Sequence, residues 1–273
     1  LMEQGDDGCL VECSVFAGEA GQAATSALLR FGIHYQQTCT VELDDLGEPR
    51  AYDMTPQEAY ESGYLFHGPL YQTIRDVPAI MERGIVGILE VGFTNRLFAS
   101  TSTPTLATDP VFLDAIGQLF GLWAIPQKKY IFPLHIDKIE FYAPTPQPGT
   151  LATVWIRTVQ QRFHAVAADM EVLDEQGQVW FRVKGWEDWI FRWPPNYYGI
   201  RRRPTKYLLG DELSLPDDEL RAVRVADIGS LPAADQAFLS RVYLTMPEWQ
   251  EYHALEGHQG LGWIMRRLAA KDA

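Results

Sequence analysis

Between Asp109 and Trp123 lies a segment whose helical reading leaves almost no polar face. Asp109 is a good N-cap and Pro110 a good first helical residue, so the start is sharply marked. From there Val111, Phe112, Leu113, Ala115, Ile116, Leu119, Phe120, Leu122 and Trp123 are all apolar. A helix apolar nearly all round is a buried one. The rest of the chain must therefore supply walls for it. Four stretches downstream have strand character: residues 132–142, 150–159, 163–173 and 179–186. The last of these comes after the turn signal Asp174-Glu175-Gln176-Gly177.

One buried helix with at least four antiparallel strands after it predicts an α+β fold. The leading topology is the hotdog, a helix wrapped by a curled sheet. Upstream, residues 9–17 and 27–43 are rich in Val, Thr, Tyr and Phe and suit an antiparallel pair. That pair is expected to be the end of another such unit. Residues 44–61 are polar, with a helix start at Thr55-Pro56; residues 80–93 read as strand-turn-strand. After Trp193-Pro194-Pro195-Asn196-Tyr197-Tyr198 the segment 201–218 reads as a linker. Beyond it come a strand or loop at 222–228 and helices over 232–243, 247–255 and 260–273. The expected units are 1–55, 56–200 and 201–273. Both ends are expected to be cuts in a longer polypeptide.

Charge and composition exclude several classes. A net charge of −13 argues against nucleic acid as a partner. No apolar run approaches the roughly 20 residues that span a membrane, and no secretory signal opens the chain, so a cytoplasmic protein is expected. The three cysteines, Cys9, Cys13 and Cys39, fit neither a disulfide framework nor a metal site and are expected as small buried hydrophobes on strands.

Within the apolar helix, Asp114 and Gln118 are four residues apart and share a face. A carboxylate among apolar neighbours is costly unless it is paired or functional. Burial favours the protonated carboxyl, which would make such a side chain a proton donor, with Gln118 holding it or a substrate hydroxyl in place. A structural pair satisfied by backbone groups fits the spacing equally. His67, in Phe66-His67-Gly68-Pro69, is either a base or part of a loop-shaping turn. His34, His135 and His164 read as packed or hydrogen-bonded residues. Trp180, Trp186, Trp189 and Trp193 read as core and domain-end packing. No phosphate loop, nucleophile elbow or metal-ligand spacing occurs.

Three stretches together resemble the dehydratase domain of polyketide synthases, a double hotdog. Phe66-His67-Gly68-Pro69-Leu70-Tyr71-Gln72 resembles the Tyr-Gly-Pro-x-Phe-Gln motif that opens the C-terminal hotdog, with histidine where tyrosine is usual. Asp109-Pro110-Val111-Phe112-Leu113-Asp114-Ala115-Ile116-Gly117-Gln118 resembles the His-Pro-x-Leu-Leu-Asp-Ala-x-x-Gln helix. Phe132-Pro133-Leu134-His135-Ile136-Asp137-Lys138-Ile139-Glu140-Phe141 resembles the strand after it. The resemblance implies Asp114 as catalytic aspartate, Gln118 as its helper, and His67, Gly68, Pro69 and Tyr71 as the tunnel wall. It implies dehydration of a 3-hydroxyacyl-carrier-protein without metal or redox cofactor, the substrate being borne on phosphopantetheine. The implied partners are an acyl carrier protein, other synthase domains in cis and a second copy in a homodimer. The family's basic histidine sits in a His-x-x-x-Gly-x-x-x-x-Pro motif that none of the six histidines here satisfies. The base is therefore expected upstream of this chain.

The tail resembles a different family. Trp263-Ile264-Met265-Arg266-Arg267-Leu268-Ala269-Ala270-Lys271-Asp272-Ala273 is similar to the Trp-x-x-Lys-Glu-Ala helix of 4'-phosphopantetheinyl transferases, and Val225-Ala226-Asp227-Ile228 to their Gly-Ile-Asp strand. This implies magnesium and coenzyme A near Asp227, Lys271 and Asp272 if that segment is complete, in a domain order like that of enediyne-type iterative synthases. Arg192 and Arg201-Arg202-Arg203 are the expected docking surface for an acidic carrier protein. The rival reading is a non-catalytic hotdog that binds or shapes a chain, or serves as a dimer scaffold.

Overall fold

The structure, a computed structural model, describes residues 3–5, 8–17, 21, 23–36, 40–43, 46–191, 193, 197–202, 209–213, 222–225, 229, 231, 233–255 and 258–272. Cys39, Arg192, Arg203 and Asp227 lie outside the described residues.

The chain opens with three strands, β1 (Glu3–Gly5), β2 (Gly8–Phe16) and β3 (Ala23–Gly32), paired antiparallel in that order. The strand pair expected from the sequence is present, but β3 stops at Gly32, short of the expected residue 43. Cys9 is half-buried and Cys13 exposed on β2, so neither is the core residue expected of it. Helix α1 (Pro56–Ser62) starts where Thr55-Pro56 predicts. Thr55 and Glu58 form a reciprocal capping box, and Gly63 closes the helix at φ 83°, a conformation in which a side chain would be strained.

Strands β4 (Ile74–Met81) and β5 (Gly84–Glu90) precede helix α2 (Pro110–Ala124), and β6 (Tyr130–Phe141), β7 (Leu151–Gln161), β8 (Ala165–Leu173) and β9 (Val179–Phe191) come after it. They form one six-stranded antiparallel sheet in the order β4-β5-β7-β8-β9-β6. The sheet curls round α2, which makes this a hotdog. On the sheet side, α2 buries Phe112, Ala115, Ile116, Leu119, Phe120, Leu122 and Trp123. Two glycines allow the close approach. A Cβ on Gly87 of β5 would stand 2.6 Å from Leu119, and one on Gly117 of α2 would stand 2.8 Å from the Trp186 ring of β9. As expected, Asp109 caps α2, its Oδ1 accepting from the backbone N–H groups of Val111 and Phe112.

The segment between β3 and α1 is clamped to the outside of this sheet by a buried ion pair. Glu171 of β8 is fully buried and accepts hydrogen bonds from the backbone N–H groups of Glu42 and Leu43 and from Arg182 Nε. Arg182 also donates to Glu42 and to the Thr40 carbonyl.

Helix α3 (Tyr197–Arg202), the hairpin β10 (Gly210–Leu213) and β11 (Ala222–Val225), and helices α4 (Ala233–Tyr243), α5 (Met246–Ala254) and α6 (His258–Asp272) make up the tail. They share a second core of Tyr197, Ile200, Leu209, Leu231, Leu239, Ile264 and Leu268. The expected helical tail is there, with two corrections. Part of the presumed linker is strand β10, and Tyr197 and Ile200 belong to the tail's core rather than to the sheet unit. No described helix is long and apolar enough to cross a membrane.

Removing one member of a buried ion pair strands the other without its counter-charge. Glu171→Ala is expected to destabilise the chain by about 3–5 kcal/mol in urea unfolding. It should also remove hydrogen-exchange protection at the amides of Glu42 and Leu43. A variant with wild-type stability and protection would show that this clamp does not hold the segment.

Candidate active site

One face of α2 is left uncovered by the sheet, and a cavity of about 150 Å³ lies over it. Its wall is largely apolar and includes Leu65, Phe66, Gly117, Gly121, Phe132 and Trp186, with Asp114, Gln118, His67 and Lys129 as polar members. The glycines at 117 and 121 matter because they keep α2's surface low between Asp114 and the helix end.

Gln118 is 4% exposed, and every polar atom of its amide is engaged. Its Nε2 donates to Asp114 Oδ2 at 2.6 Å and to the Tyr71 carbonyl at 3.0 Å, while its Oε1 accepts from the Tyr60 hydroxyl at 2.8 Å. Burial pushes the Tyr60 phenol well above its ordinary range, so it remains a donor. The amide is thus pinned from α1 and from the 3-10 turn Pro69–Tyr71, and it passes that fixity to Asp114.

Asp114 itself is not the buried carboxylate that its apolar neighbours predict. Its side chain keeps 39% of its surface, because it projects from the one stretch of α2 that faces the cavity instead of the sheet. His67 lies beside it. Its Nε2 is 3.4 Å from Asp114 Oδ2, and its side chain is 17% exposed. The imidazole stacks on Phe66 at 4.4 Å and 21°, Phe66 stacks in turn on Phe132, and Gln72 Nε2 donates to the His67 carbonyl. The ring plane is therefore set by the turn that carries it.

Of the expected tunnel residues, His67 lines the cavity. Gly68, Pro69 and Tyr71 do not; they build the turn, and Tyr71 contributes its carbonyl to Gln118. Four residues of the site and its surroundings carried no sequence signal strong enough to assign them there: Tyr60, Lys129 and the pair Trp186 and Asp188. The last had a weak one, since residues two apart on a strand share a face. Trp186 Nε1 donates to Asp188 Oδ1 at 2.6 Å, and Asp188 is 1% exposed. Burial pushes the Asp188 carboxyl up to about 7, against the opposing pull of the indole N–H.

The tail residues lie elsewhere. Lys271 Nζ donates to Glu248 and to the Tyr243 carbonyl, and Asp272 Oδ2 accepts from the Gly210 N–H. These bonds tie α6 to α4, α5 and β10. Among the described residues no three His, Cys, Asp or Glu side chains converge on one point. Asp227, the other acidic residue of the transferase resemblance, lies outside the described residues. Arg201 is paired with Asp235 at 2.7 Å and lies over the Phe238 ring, so its charge is already answered within the tail.

Residues 51–187 match the family described as polyketide synthase dehydratase N-terminal domain. Among curated proteins nothing matches. Solved structures similar to the chain include GphF Dehydratase 1, at 21% identity, TM-score 0.42, covering 60% of this chain and 56% of that one. The dehydratase domain of RzxB from Pseudomonas fluorescens is 14% identical, with TM-score 0.44 and coverage of 61% and 58%. The dehydratase domain from the CurH module of the curacin polyketide synthase is 20% identical, with TM-score 0.44 and coverage of 64% and 62%. The chain thus spans less than two thirds of the length of these structures.

The Asp188 carboxyl, raised from 3.8 to about 7, binds its proton more tightly in the folded chain than in the unfolded one. Its contribution to stability is complete below pH 3.8 and is lost as pH rises through about 7. Asp188→Asn keeps an acceptor for the Trp186 indole and removes the titration. Unfolding measured across this window should show a downward slope in the wild type that is absent from the variant. Identical slopes would place the titration elsewhere.

Proposed function

The chain belongs to the polyketide synthase dehydratase family, and from that premise we propose that its helix-wrapped unit expels water from a 3-hydroxyacyl thioester to give the 2-enoyl thioester. The supporting observation is Asp114, held by a fully engaged Gln118 at the wall of an apolar cavity. A carboxyl group so placed gives its proton to the departing β-hydroxyl. Gln118 occupies Oδ2 and leaves Oδ1 to carry that proton. The apolar wall takes the acyl chain and keeps water from competing for the acid.

In this reading residues 56–191 are the second hotdog of a double unit, and residues 1–55 hold the end of the first. The substrate arrives on the phosphopantetheine arm of an acyl carrier protein, alongside other synthase domains in cis, and two copies pair as a homodimer. Lys129 in the cavity wall and the exposed Lys128 next to it supply positive charge where a phosphate-bearing arm from an acidic partner would pass. They take the role that the sequence alone assigns to the arginine cluster. The elimination itself needs no metal or redox cofactor. Magnesium and coenzyme A would enter only with a complete transferase segment.

Incubation of the full-length protein with a 3-hydroxyacyl-pantetheine, with mass spectrometry for loss of water, tests the reading. Asp114→Asn should lower the rate by roughly 10²–10⁴-fold while the thioester still binds. Gln118→Ala should lower it by roughly 10- to 100-fold, through loss of positioning. Dehydration at the wild-type rate by Asp114→Asn would overturn the assignment of the acid.

A further inference from the structure

Part of the cavity wall beside Asp114 is an indole. Trp186 of β9 lies over Gly117, three residues along α2 from Asp114 and so on the same face, and a Cβ on that glycine would stand 2.8 Å from the ring. The ring is held in turn by Asp188, whose Oδ1 accepts from the indole N–H at 2.6 Å. We propose that Asp188 is a positioning residue of this site: through Trp186 it fixes the width of the cavity beside Asp114, and so excludes acyl thioesters that carry a branch on the α-carbon. The proposal rests on the dehydratase reading above and adds to it the class of substrate that fits.

Two observations carry it. The first is that the carboxyl is costly where a cheaper partner would serve. Asp188 is 1% exposed, and so deep a carboxyl loses hydration that one hydrogen bond does not restore. Yet a buried indole in this fold does not require one. Trp123 Nε1 donates to the Met81 backbone carbonyl, and the buried Nε1 atoms of Trp155 and Trp180 have no hydrogen-bond partner in the protein. Of these four tryptophans, the one that lines the cavity is the one given a carboxyl. A cost that packing does not explain is expected at a functional position. The second observation is the shape of the wall. At Gly117 the ring and the helix are already in contact, so any shift of the indole alters the space over α2 directly. One turn further, a Cβ on Gly121 would meet nothing within 4 Å. The wall is therefore tight beside the reacting carbons and open beyond them, a shape that admits a thin chain and refuses a branch next to the thioester.

The surroundings of Asp188 make its state readable at the ring. Its register neighbours are Pro133 on β6 and Val166 on β8, neither of them ionisable. On β9 itself Glu187 and Trp189 flank it on the opposite face. The ionisable side chains of the cavity are those of Tyr64, His67, Asp114, Lys129 and Tyr130. Burial is the main influence on the Asp188 carboxyl and raises it to about 7. Below that pH a neutral acid holds the indole. Above it a carboxylate forms in the core and must draw in water or shift, and the environment of the ring changes with it.

Two measurements on the full-length protein test this. Labelled with fluorotryptophan, the protein gives a fluorine resonance for each indole, and the one missing from Trp186→Phe belongs to Trp186. That resonance should move as pH passes through about 7 in wild type and stay in place in Asp188→Asn. Turnover of 3-hydroxyoctanoyl-pantetheine and of its 2-methyl counterpart is then followed by loss of water. Wild type should prefer the unbranched substrate by roughly 10- to 200-fold, the range that one carbon commands in a fitted pocket. Asp188→Leu, which leaves no acceptor, and Trp186→Phe, which leaves no donor, should each reduce that preference at least about fivefold, and the double variant no further than either alone. Asp188→Asn should retain it. The change should fall on KM, whereas a misfolded fraction lowers kcat for both substrates and leaves KM and the preference alone. No preference in wild type, a preference untouched in folded Asp188→Leu and Trp186→Phe, additive effects in the double variant, or a Trp186 resonance indifferent to Asp188 overturns the proposal. Failure of wild type to dehydrate either substrate, with the Trp186 resonance still following Asp188, upholds the link between the two residues and overturns the dehydratase reading instead.

Discussion

Burial of α2 governs this structure. A fifteen-residue helix with apolar side chains on nearly every face cannot rest on a flat sheet and leave its back to solvent. The sheet answers by curling, and the glycines at 87 and 117 let it close to within contact distance of Leu119 and Trp186. Curling also leaves a gap, because six strands that wrap one helix do not meet behind it. The cavity that Asp114 and His67 line lies at that gap.

This origin explains the character of the site. Asp114 and Gln118 belong to the helix's one uncovered stretch, so they are polar without interrupting the core. The difference between them is depth. Gln118, one turn further along, is sealed by Tyr60 and by the Tyr71 carbonyl, whereas Asp114 opens on the cavity. A rigid amide behind an accessible carboxyl is the arrangement a positioned proton donor needs. Phe66 adds the same kind of fixity to His67 from the other side. Trp186, itself part of the wall, is fixed by its hydrogen bond to the buried carboxyl of Asp188 and lies against Gly117.

The tail obeys a separate logic. Its helices α4 and α5 are short and only weakly amphipathic, and the tail is held by a small core together with polar ties such as Lys271–Glu248 and Asp272–Gly210. Lys271 and Asp272, which resemble part of a transferase signature, are spent on those ties. A short motif specifies side chains but not what they will bond to, and here their partners are helix ends and a hairpin.

Local patterning determined much of this protein. The N-cap at Asp109, the capping box at Thr55, the turn at Asp174 and the strand periodicities on either side of α2 act over a few residues, so the sequence alone carries the α+β class, the helix and its strands. The pairing of Asp114 with Gln118 was legible for the same reason, four residues on one helix face. Tertiary structure decided whatever depends on long-range contact. It decided that β4 and β5 complete the sheet, that Tyr197 and Ile200 join the tail's core, and that Asp114 faces a cavity. It also decided that His67, 47 positions away, ends 3.4 Å from Asp114. No periodicity encodes such a distance; it arises from how a curled sheet and a pinned turn meet the same helix.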